Sequence, residues 1–112
     1  MLFYIKNMEA KNVYWMYGIV LSDNIKTTKE KFMEKLKEMG VETRGFFIPM
    51  HQQPAYYLKT VENAPNCKGN FPVADKVSER GFYLPSSSDI TDEEINFVCN
   101  CVRKIIEDNK KP

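Results

Sequence analysis

Six side chains that suit the binding of a polar, anionic ligand lie within one short segment of the sequence. They are Arg44, Phe46, Phe47, His51, Gln52 and Gln53. Together they supply a permanent cation, two aromatic faces, a titratable imidazole and two amides, which are the groups that hold a ligand such as a sugar phosphate. The only histidine has an alternative explanation, because in a proline-flanked loop its ring could simply hydrogen-bond a backbone carbonyl. The residues alone leave both interpretations open.

Other site chemistries find little support. A single histidine cannot build a histidine-based metal cluster, and no G-x-G-x-x-G or P-loop pattern is present to bind a phosphate at a helix start. A nucleophilic pair of His51 with Cys99 or Cys101 would place the thiol in the middle of a predicted helix, where activated thiolates are rarely held. We therefore predict no catalytic, cofactor-binding or metal-binding residue. The odd number of cysteines, 3, favours reduced structural thiols in a cytoplasmic setting.

The length and composition of the chain are those of one compact domain. The 112 residues are 43% hydrophobic and 12% aromatic, which is enough to build a core. The 16 basic and 15 acidic residues nearly cancel, so charge favours neither nucleic acid nor an acidic membrane as a partner. The aromatic pairs Phe46–Phe47 and Tyr56–Tyr57 could stack on bases only beside a basic groove, which this balance does not supply. The apolar runs are too short to span a membrane.

The first half of the chain predicts a strand, a helix and a second strand. Residues 13–21 are aromatic and β-branched and predict a strand buried on both faces. Thr27 and Glu30 form the T-x-x-E pattern of a helix capping box, and Gly40 stands where that helix should end. The helix carries an apolar stripe of Phe32, Met33, Leu36 and Met39. Residues 41–48 predict the next strand, with Gly45 suggesting a bulge or a close backbone approach.

The second half predicts an irregular segment, a helix, a strand and a final helix. A helical turn is expected after Pro54 within the loop of residues 49–70. A helix over residues 71–81 would begin at Pro72 and direct Val73 and Val77 inward, and residues 82–84 would form a short strand. Thr91 and Glu94 form a second capping box before an apolar stripe. That stripe consists of Ile95, Val98, Val102 and Ile105.

This order predicts an α+β domain in which a small, antiparallel-type three-stranded sheet has helices packed on one face. Residues 1–12 show no clear period and are interpreted as an N-terminal arm or linker. Residues 13–112 form the predicted domain.

Three segments resemble one known family in order and spacing. The stretch GVETRGFFIPMHQQP, residues 40–54, resembles the G-(I/V)-x-x-R-x-x-F-x-P-x-H-x-Q-P segment of DegT-type, perosamine-synthase-like sugar aminotransferases. The stretch VYWMY, residues 13–17, resembles the strand that enters the small domain of that family. FPVADKVSERGFYLPS, residues 71–86, resembles its F-P-x-A segment, and the TDEEI helix start also fits. The resemblance therefore covers nearly the whole chain and identifies it with the C-terminal small domain.

The resemblance implies a fold-type I enzyme of polysaccharide biosynthesis, usually a homodimer, that uses pyridoxal phosphate (PLP). Such an enzyme transfers an amino group from glutamate to a nucleotide-linked keto-sugar. Its Schiff-base lysine belongs to a large domain that this sequence does not contain, so no cofactor is expected on this chain alone. By the resemblance, Arg44 and His51 lie near the substrate, and Phe47 and Gln53 shape the loop. The alternative is a stand-alone, non-catalytic binding module derived from that domain.

Overall fold

The computed structural model describes residues 11–58 and 62–110, so residues 1–10 of the predicted arm lie outside the described part. The strands are β1 (Tyr17–Val20), β2 (Arg44–Gly45) and β3 (Gly81–Leu84). The helices are α1 (Lys29–Glu38), α2 (Pro54–Tyr57), α3 (Pro72–Arg80) and α4 (Asp92–Asn109), and a 3₁₀ turn covers Met50–Gln52.

The three strands form one antiparallel sheet in the order β1-β3-β2. The last strand in sequence is therefore central, and its Tyr83 has Gly18 on one side and Arg44 on the other. Because side chains alternate along a strand, these three residues share one face of the sheet and Phe82 points to the other. The predicted α+β fold with a three-stranded antiparallel sheet is confirmed.

The core lies on the Phe82 face of the sheet. The rings of Phe32 on α1 and Phe82 on β3 are 5.5 Å apart between centroids, and both side chains are fully buried. The other buried members of this core are Leu21, Leu36, Val41, Cys101 and Ile105. Both α1 and α4 contribute to it, so each supplies the apolar stripe that an amphipathic helix buries against a sheet.

Strand β1 is shorter and more exposed than the sequence predicts. Only Tyr17–Val20 pairs with β3, whereas Val13 is 83% and Trp15 is 77% exposed. The prediction of a strand over residues 13–21 that is buried on both faces is therefore wrong. Tyr14 has a φ of 50°, which lies outside the β region. The backbone is therefore not extended at Tyr14, and β1 does not reach back to Val13.

The second predicted strand is also shorter than expected and covers only Arg44–Gly45, because the neighbouring strand β3 has no further residues with which it can pair. Arg44 pairs with Tyr83, Gly45 pairs with Phe82, and the N–H of Phe46 donates to the carbonyl of Gly81. Before Gly81 the chain belongs to helix α3, which offers no strand edge to pair with Phe47. The strand predicted over residues 41–48 thus ends where β3 begins.

Helix α1 begins one residue later than its sequence pattern predicts. Its N-cap is Thr28, whose hydroxyl accepts a hydrogen bond from the backbone N–H of Lys31, so the predicted Thr27–Glu30 capping box is wrong. The predicted end is confirmed. Gly40 adopts a φ of 85°, and the N–H groups of Gly40 and Val41 bond the carbonyls of Lys37 and Leu36 in a Schellman arrangement.

The revised cap makes a testable distinction between two neighbouring threonines. Thr28→Ala should lower the free energy of unfolding by about 1 kcal/mol, because an N–H in the first turn of α1 loses its partner. Thr27→Ala should change it by less than about 0.5 kcal/mol. Urea unfolding monitored by circular dichroism compares the two variants, and a larger loss at Thr27 would contradict the Thr28 cap.

The close backbone approach predicted at Gly45 occurs instead at two other glycines. Gly45 pairs in regular register with Phe82, and a Cβ there would meet nothing within 4 Å, so the prediction of a bulge or a close approach at Gly45 is wrong. By contrast, the ring of Phe46 lies over Gly18 and Gly81, and a Cβ on Gly18 would stand 2.9 Å from its Cζ atom. The two glycines leave the room that lets Phe46 cover the second face of the sheet.

Helix α3 begins at Pro72 as predicted, but its apolar residues do not point inward. Val73 is 75% and Val77 is 37% exposed, so the prediction that they are buried is wrong. Polar contacts hold this helix instead. The ammonium of Lys29 donates to the carbonyl of Ser78 at 2.7 Å, and the guanidinium of Arg80 donates to the carbonyls of Leu21 and Ser22.

Helix α4 has the predicted capping box. The hydroxyl of Thr91 accepts from the N–H of Glu94, and the Glu94 carboxylate accepts from the N–H of Thr91. The predicted stripe is confirmed at Val98, Val102 and Ile105, whereas Ile95 in the first turn is 43% exposed. The buried Cys101 extends the stripe, so its thiol is a core group, as expected for a structural cysteine.

Candidate functional site

Arg44 and Phe47 lie with Tyr83 on the face of the sheet opposite the core. The guanidinium carbon of Arg44 is 5.5 Å from the centroid of the Phe47 ring, a cation–π contact. The Phe47 and Tyr83 rings meet edge to face at 6.1 Å, and Phe46 packs on Tyr83 at 4.6 Å. We call these four residues the Arg44 cluster. Through Phe47, the packed rings orient the guanidinium of Arg44 at the edge of the sheet.

Arg44 is exposed and makes no ion pair with any described residue. It lines an open groove of about 530 Å³ between β2 and the chain before β1. The groove presents aromatic faces, hydroxyls, a carboxylate and the guanidinium, from Trp15, Thr43, Tyr83, Ser86, Glu42 and Arg44. This mixture of stacking surface and hydrogen-bonding groups suits a polyhydroxylated ligand that carries an anionic group.

His51 lies in a second group of side chains, formed by the 3₁₀ turn and helix α3. Its Nε2 atom is 2.6 Å from Oδ1 of Asp75, and its ring packs on that of Phe71 with centroids 4.7 Å apart. The amide of Gln52 donates to the same Asp75 oxygen at 2.6 Å. We call His51, Gln52, Phe71 and Asp75 the His51 cluster. The histidine therefore pairs with a carboxylate, which differs from the backbone carbonyl considered from the sequence.

Gln53 stabilises the loop that carries both clusters. Its side-chain amide donates to the carbonyl of Ile48 at 2.8 Å, and helix α2 begins directly after it. Of the four residues predicted to bind substrate, Arg44 and Phe47 are in direct contact, whereas His51 and Gln53 have partners of their own. Within the described part of the chain, no hydrogen bond, ion pair or ring contact joins the Arg44 cluster to the His51 cluster.

Three members of the two clusters were not predicted as site residues from the sequence: Tyr83, Phe71 and Asp75. Tyr83 lies beside Arg44 because β2 pairs with β3, and no local sequence pattern predicts the register of that pairing. Asp75 does carry a local signal, since it lies in the first turn of α3, where a carboxylate is favoured by the helix dipole. Its pairing with His51, 24 residues away, depends on how the loop folds back.

Neither cluster contains an amine or a set of metal ligands. Within residues 11–58 and 62–110, no group of three or more histidine, cysteine or acidic side chains could hold a metal ion. Lys29 and Lys76 are engaged elsewhere, with the Ser78 carbonyl and the Asp23 carboxylate. The side chains of the two clusters therefore do not fit a covalently held PLP, and the arrangement supports binding and orientation.

The carboxyl group of Asp89, which lies outside both clusters, has a lowered pKa. The hydroxyl of Ser87 donates to the carboxylate of Asp89, and with a backbone hydrogen bond of Asp89 it holds the pKa of that carboxyl below its ordinary value. Asp89 lies exposed in the loop before α4 and belongs to neither cluster, so we assign it no role in binding there.

A family model matches residues 2–103 of the chain. Its description is the DegT/DnrJ/EryC1/StrS aminotransferase family. The chain belongs to this family. The match includes the Arg44 cluster, the His51 cluster and all three strands, so the resemblance identified from the sequence motifs is confirmed.

Several relatives share this domain. An uncharacterised protein of Methanocaldococcus jannaschii is 36% identical over 102 residues, covering 90% of this chain and 25% of its own length. The GDP-perosamine synthases of Vibrio cholerae and Caulobacter vibrioides are 30% and 26% identical, over 80% and 88% of this chain. Those matches cover 23% and 25% of the two synthases. The chain thus spans about a quarter of the length of the curated relatives it matches.

The remaining surface of this family member includes a second groove, which is mainly apolar. It has a volume of about 700 Å³ and lies between residues 13–17 and the start of α4. Val13, Tyr14, Trp15 and Ile95 line this groove and leave large apolar surfaces exposed. No helix in the described part of the chain is both long enough and apolar enough to cross a membrane.

Proposed function

We propose that the chain is the substrate-side small domain of a PLP-dependent sugar aminotransferase. The whole enzyme would transfer an amino group from glutamate to a nucleotide-linked keto-sugar, in polysaccharide biosynthesis. Membership of the aminotransferase family and the relatives named GDP-perosamine synthase support this assignment. This domain would contribute Arg44, Phe47, His51 and Gln53 to the handling of the substrate.

The groove beside Arg44 is the observation that carries the proposal. A nucleotide-linked sugar combines hydroxyl groups with a diphosphate, and the groove combines hydroxyls, a carboxylate and aromatic faces with the exposed guanidinium of Arg44. Arg44 would bind the anionic part of the substrate, because a guanidinium matches phosphate oxygens in charge and geometry. Phe47 would keep the guanidinium in place, and Gln53 would hold the loop through its bond to Ile48.

PLP would supply the electron sink for the reaction when bound to the whole enzyme. The two clusters offer no amine for it, so we assign the Schiff-base lysine to the large domain of the whole protein. This chain's residues would bind and orient the sugar and would take no covalent part in the reaction. On this proposal the isolated chain holds no cofactor.

The partner of the domain would be that large domain or a second subunit. Contiguous apolar surface on a small domain usually marks an interface, and the groove between residues 13–17 and α4 provides such a surface.

The cysteines Cys67, Cys99 and Cys101 are free thiols, which agrees with a reducing, cytoplasmic setting.

A domain exchange tests the proposed function. Residues 13–110 would replace the matching segment of the Vibrio cholerae GDP-perosamine synthase, to which the chain is 30% identical. We expect the hybrid enzyme to bind PLP and to aminate a GDP-linked keto-sugar, because on this proposal the inserted domain supplies the substrate-side groups. Stopped-flow absorbance follows the glutamate and sugar half-reactions separately.

The hybrid enzyme carries its own control. Normal PLP binding and a normal glutamate half-reaction show that the hybrid is folded and assembled. If such a hybrid then fails to aminate any GDP-linked or other nucleotide-linked keto-sugar, the proposed function is wrong, and the stand-alone binding module becomes the better description of the domain.

A further inference from the structure

The side chain of His51 is held in one orientation by two different contacts. Its ring packs on Phe71 with an interplanar angle of 36°, and its Nε2 atom lies 2.6 Å from the Asp75 carboxylate. The side chain is only 16% exposed. Within the described part of the chain, Nδ1 has no hydrogen-bond partner. The two ring nitrogens therefore have different surroundings, since only Nε2 lies against a carboxylate.

A carboxylate on one ring nitrogen determines where a neutral imidazole carries its proton. Because the Asp75 oxygen can only accept, the hydrogen bond requires that Nε2 carry the hydrogen, which leaves a lone pair on Nδ1. We propose that Asp75 is a positioning residue that holds neutral His51 as the Nε2–H tautomer, so that Nδ1 accepts a hydrogen bond from a sugar hydroxyl. This inference rests on the proposed function, which supplies the sugar.

The surroundings of Asp75 favour this role. Its carboxylate lies in the first turn of α3, where the partial positive charge of the helix N-terminus stabilises an anion. Gln52 donates to the same Oδ1 atom at 2.6 Å and so fixes the carboxylate against the imidazole. The nearest basic residue along α3 is Lys76, whose ammonium donates to Asp23 at 2.6 Å. Lys76 therefore does not compete with His51 for the Asp75 carboxylate.

A purely structural role makes a different prediction. If His51 only tied the 3₁₀ turn to α3, any side chain that bridged the two would serve, and the position of the proton would not matter. Loss of Asp75 would then lower stability without a specific effect on the sugar. The tautomer of the imidazole and the selectivity of the kinetic effect separate the two roles.

The tautomer can be read directly, because His51 is the only histidine in the sequence. In the ¹⁵N-labelled chain, long-range ¹H–¹⁵N correlation in alkaline buffer should show a protonated Nε2 and an imine-type Nδ1. In Asp75→Ala the two shifts should move towards the average of exchanging tautomers, and Asp75→Glu should restore much of the wild-type pattern. Glu79→Ala, which removes an exposed carboxylate from the same helix but keeps Asp75 and Gln52, is the matched control and should leave the pattern unchanged.

The kinetic arm uses the hybrid enzyme described above. Asp75→Ala should lower kcat/KM for the sugar half-reaction by about tenfold and leave the glutamate half-reaction near wild type. An Nδ1–H or averaged tautomer in the wild-type chain would overturn the inference, as would an unchanged tautomer in Asp75→Ala. An unchanged sugar half-reaction in that variant would overturn it as well. Failure of the unsubstituted hybrid on sugar would instead refute the proposed function, and the spectra of the isolated chain do not depend on that outcome.

Discussion

A Gly81→Ala variant is expected to lose about 1–3 kcal/mol in its free energy of unfolding, the range typical of overpacked sites. A Cβ at this position would lie 2.5 Å from the carbonyl oxygen of Val77 and against two ring atoms of Phe46. The Phe46 ring could turn aside, but the Val77 oxygen belongs to α3 and can move only with the helix backbone. Urea unfolding followed by circular dichroism measures the loss.

The matched control is Gly45→Ala on the neighbouring strand. Gly45 pairs with Phe82 in the same sheet, and an added Cβ there meets nothing within 4 Å. Its free energy of unfolding should stay within about 0.5 kcal/mol of wild type. Combining Gly81→Ala with Phe46→Leu should cost less than the sum of the two single changes, because one clash is then relieved. Equal losses at Gly45 and Gly81 would show that the close contact is not the cause.

This packing also connects the fold to the candidate site. Phe46 can pack against the sheet only because Gly18 and Gly81 have no side chain, and Phe47 follows it directly in the chain. Phe47 in turn supports the guanidinium of Arg44. A change at Gly81 should therefore disturb the Arg44 cluster even though Gly81 does not belong to it.

The apolar stripes of α1 and α4 and most helix ends were the part of the fold that the sequence predicted well, whereas the inward direction of Val73 and Val77 on α3 was wrong. The Thr91–Glu94 box, the Gly40 terminus and the stripe of α1 depend on residues three or four positions apart, so one helix contains the whole signal. Two threonines in succession made the start of α1 ambiguous by one residue. Only the hydrogen bond from Lys31 to Thr28 distinguishes them.

Strand lengths and site contacts depended on distant residues and were predicted less well. β2 ends where β3 begins, and the aromatic residues before β1 are exposed although their composition predicts burial. The candidate site shows the same limit. Arg44 and His51 belong to one recognisable motif, but their partners Tyr83 and Asp75 are brought to them by strand pairing and by the fold of the loop.

In the hybrid enzyme, Arg44→Ala is expected to lower kcat/KM for the sugar half-reaction by about ten- to a hundredfold. The substitution removes a charge-assisted contact to an anionic substrate, which is worth about 1.5–3 kcal/mol. Loss in the glutamate half-reaction should be much smaller, because glutamate carries no nucleotide diphosphate. Single-turnover measurements of the two half-reactions give both values.

Three further variants separate the role of the Arg44 charge from its role in packing. Arg103→Ala removes an exposed arginine on α4 and should leave both half-reactions unchanged. Arg44→Lys keeps the charge without the planar guanidinium and should give an intermediate loss. Phe47→Leu removes the ring under the guanidinium, and the exposed cation–π contact that it supplies is worth only about 0.5–1 kcal/mol. Equal losses of Arg44→Ala in the sugar and glutamate half-reactions would assign Arg44 to the stability of the loop, since a residue that binds the nucleotide-linked sugar must affect that substrate selectively.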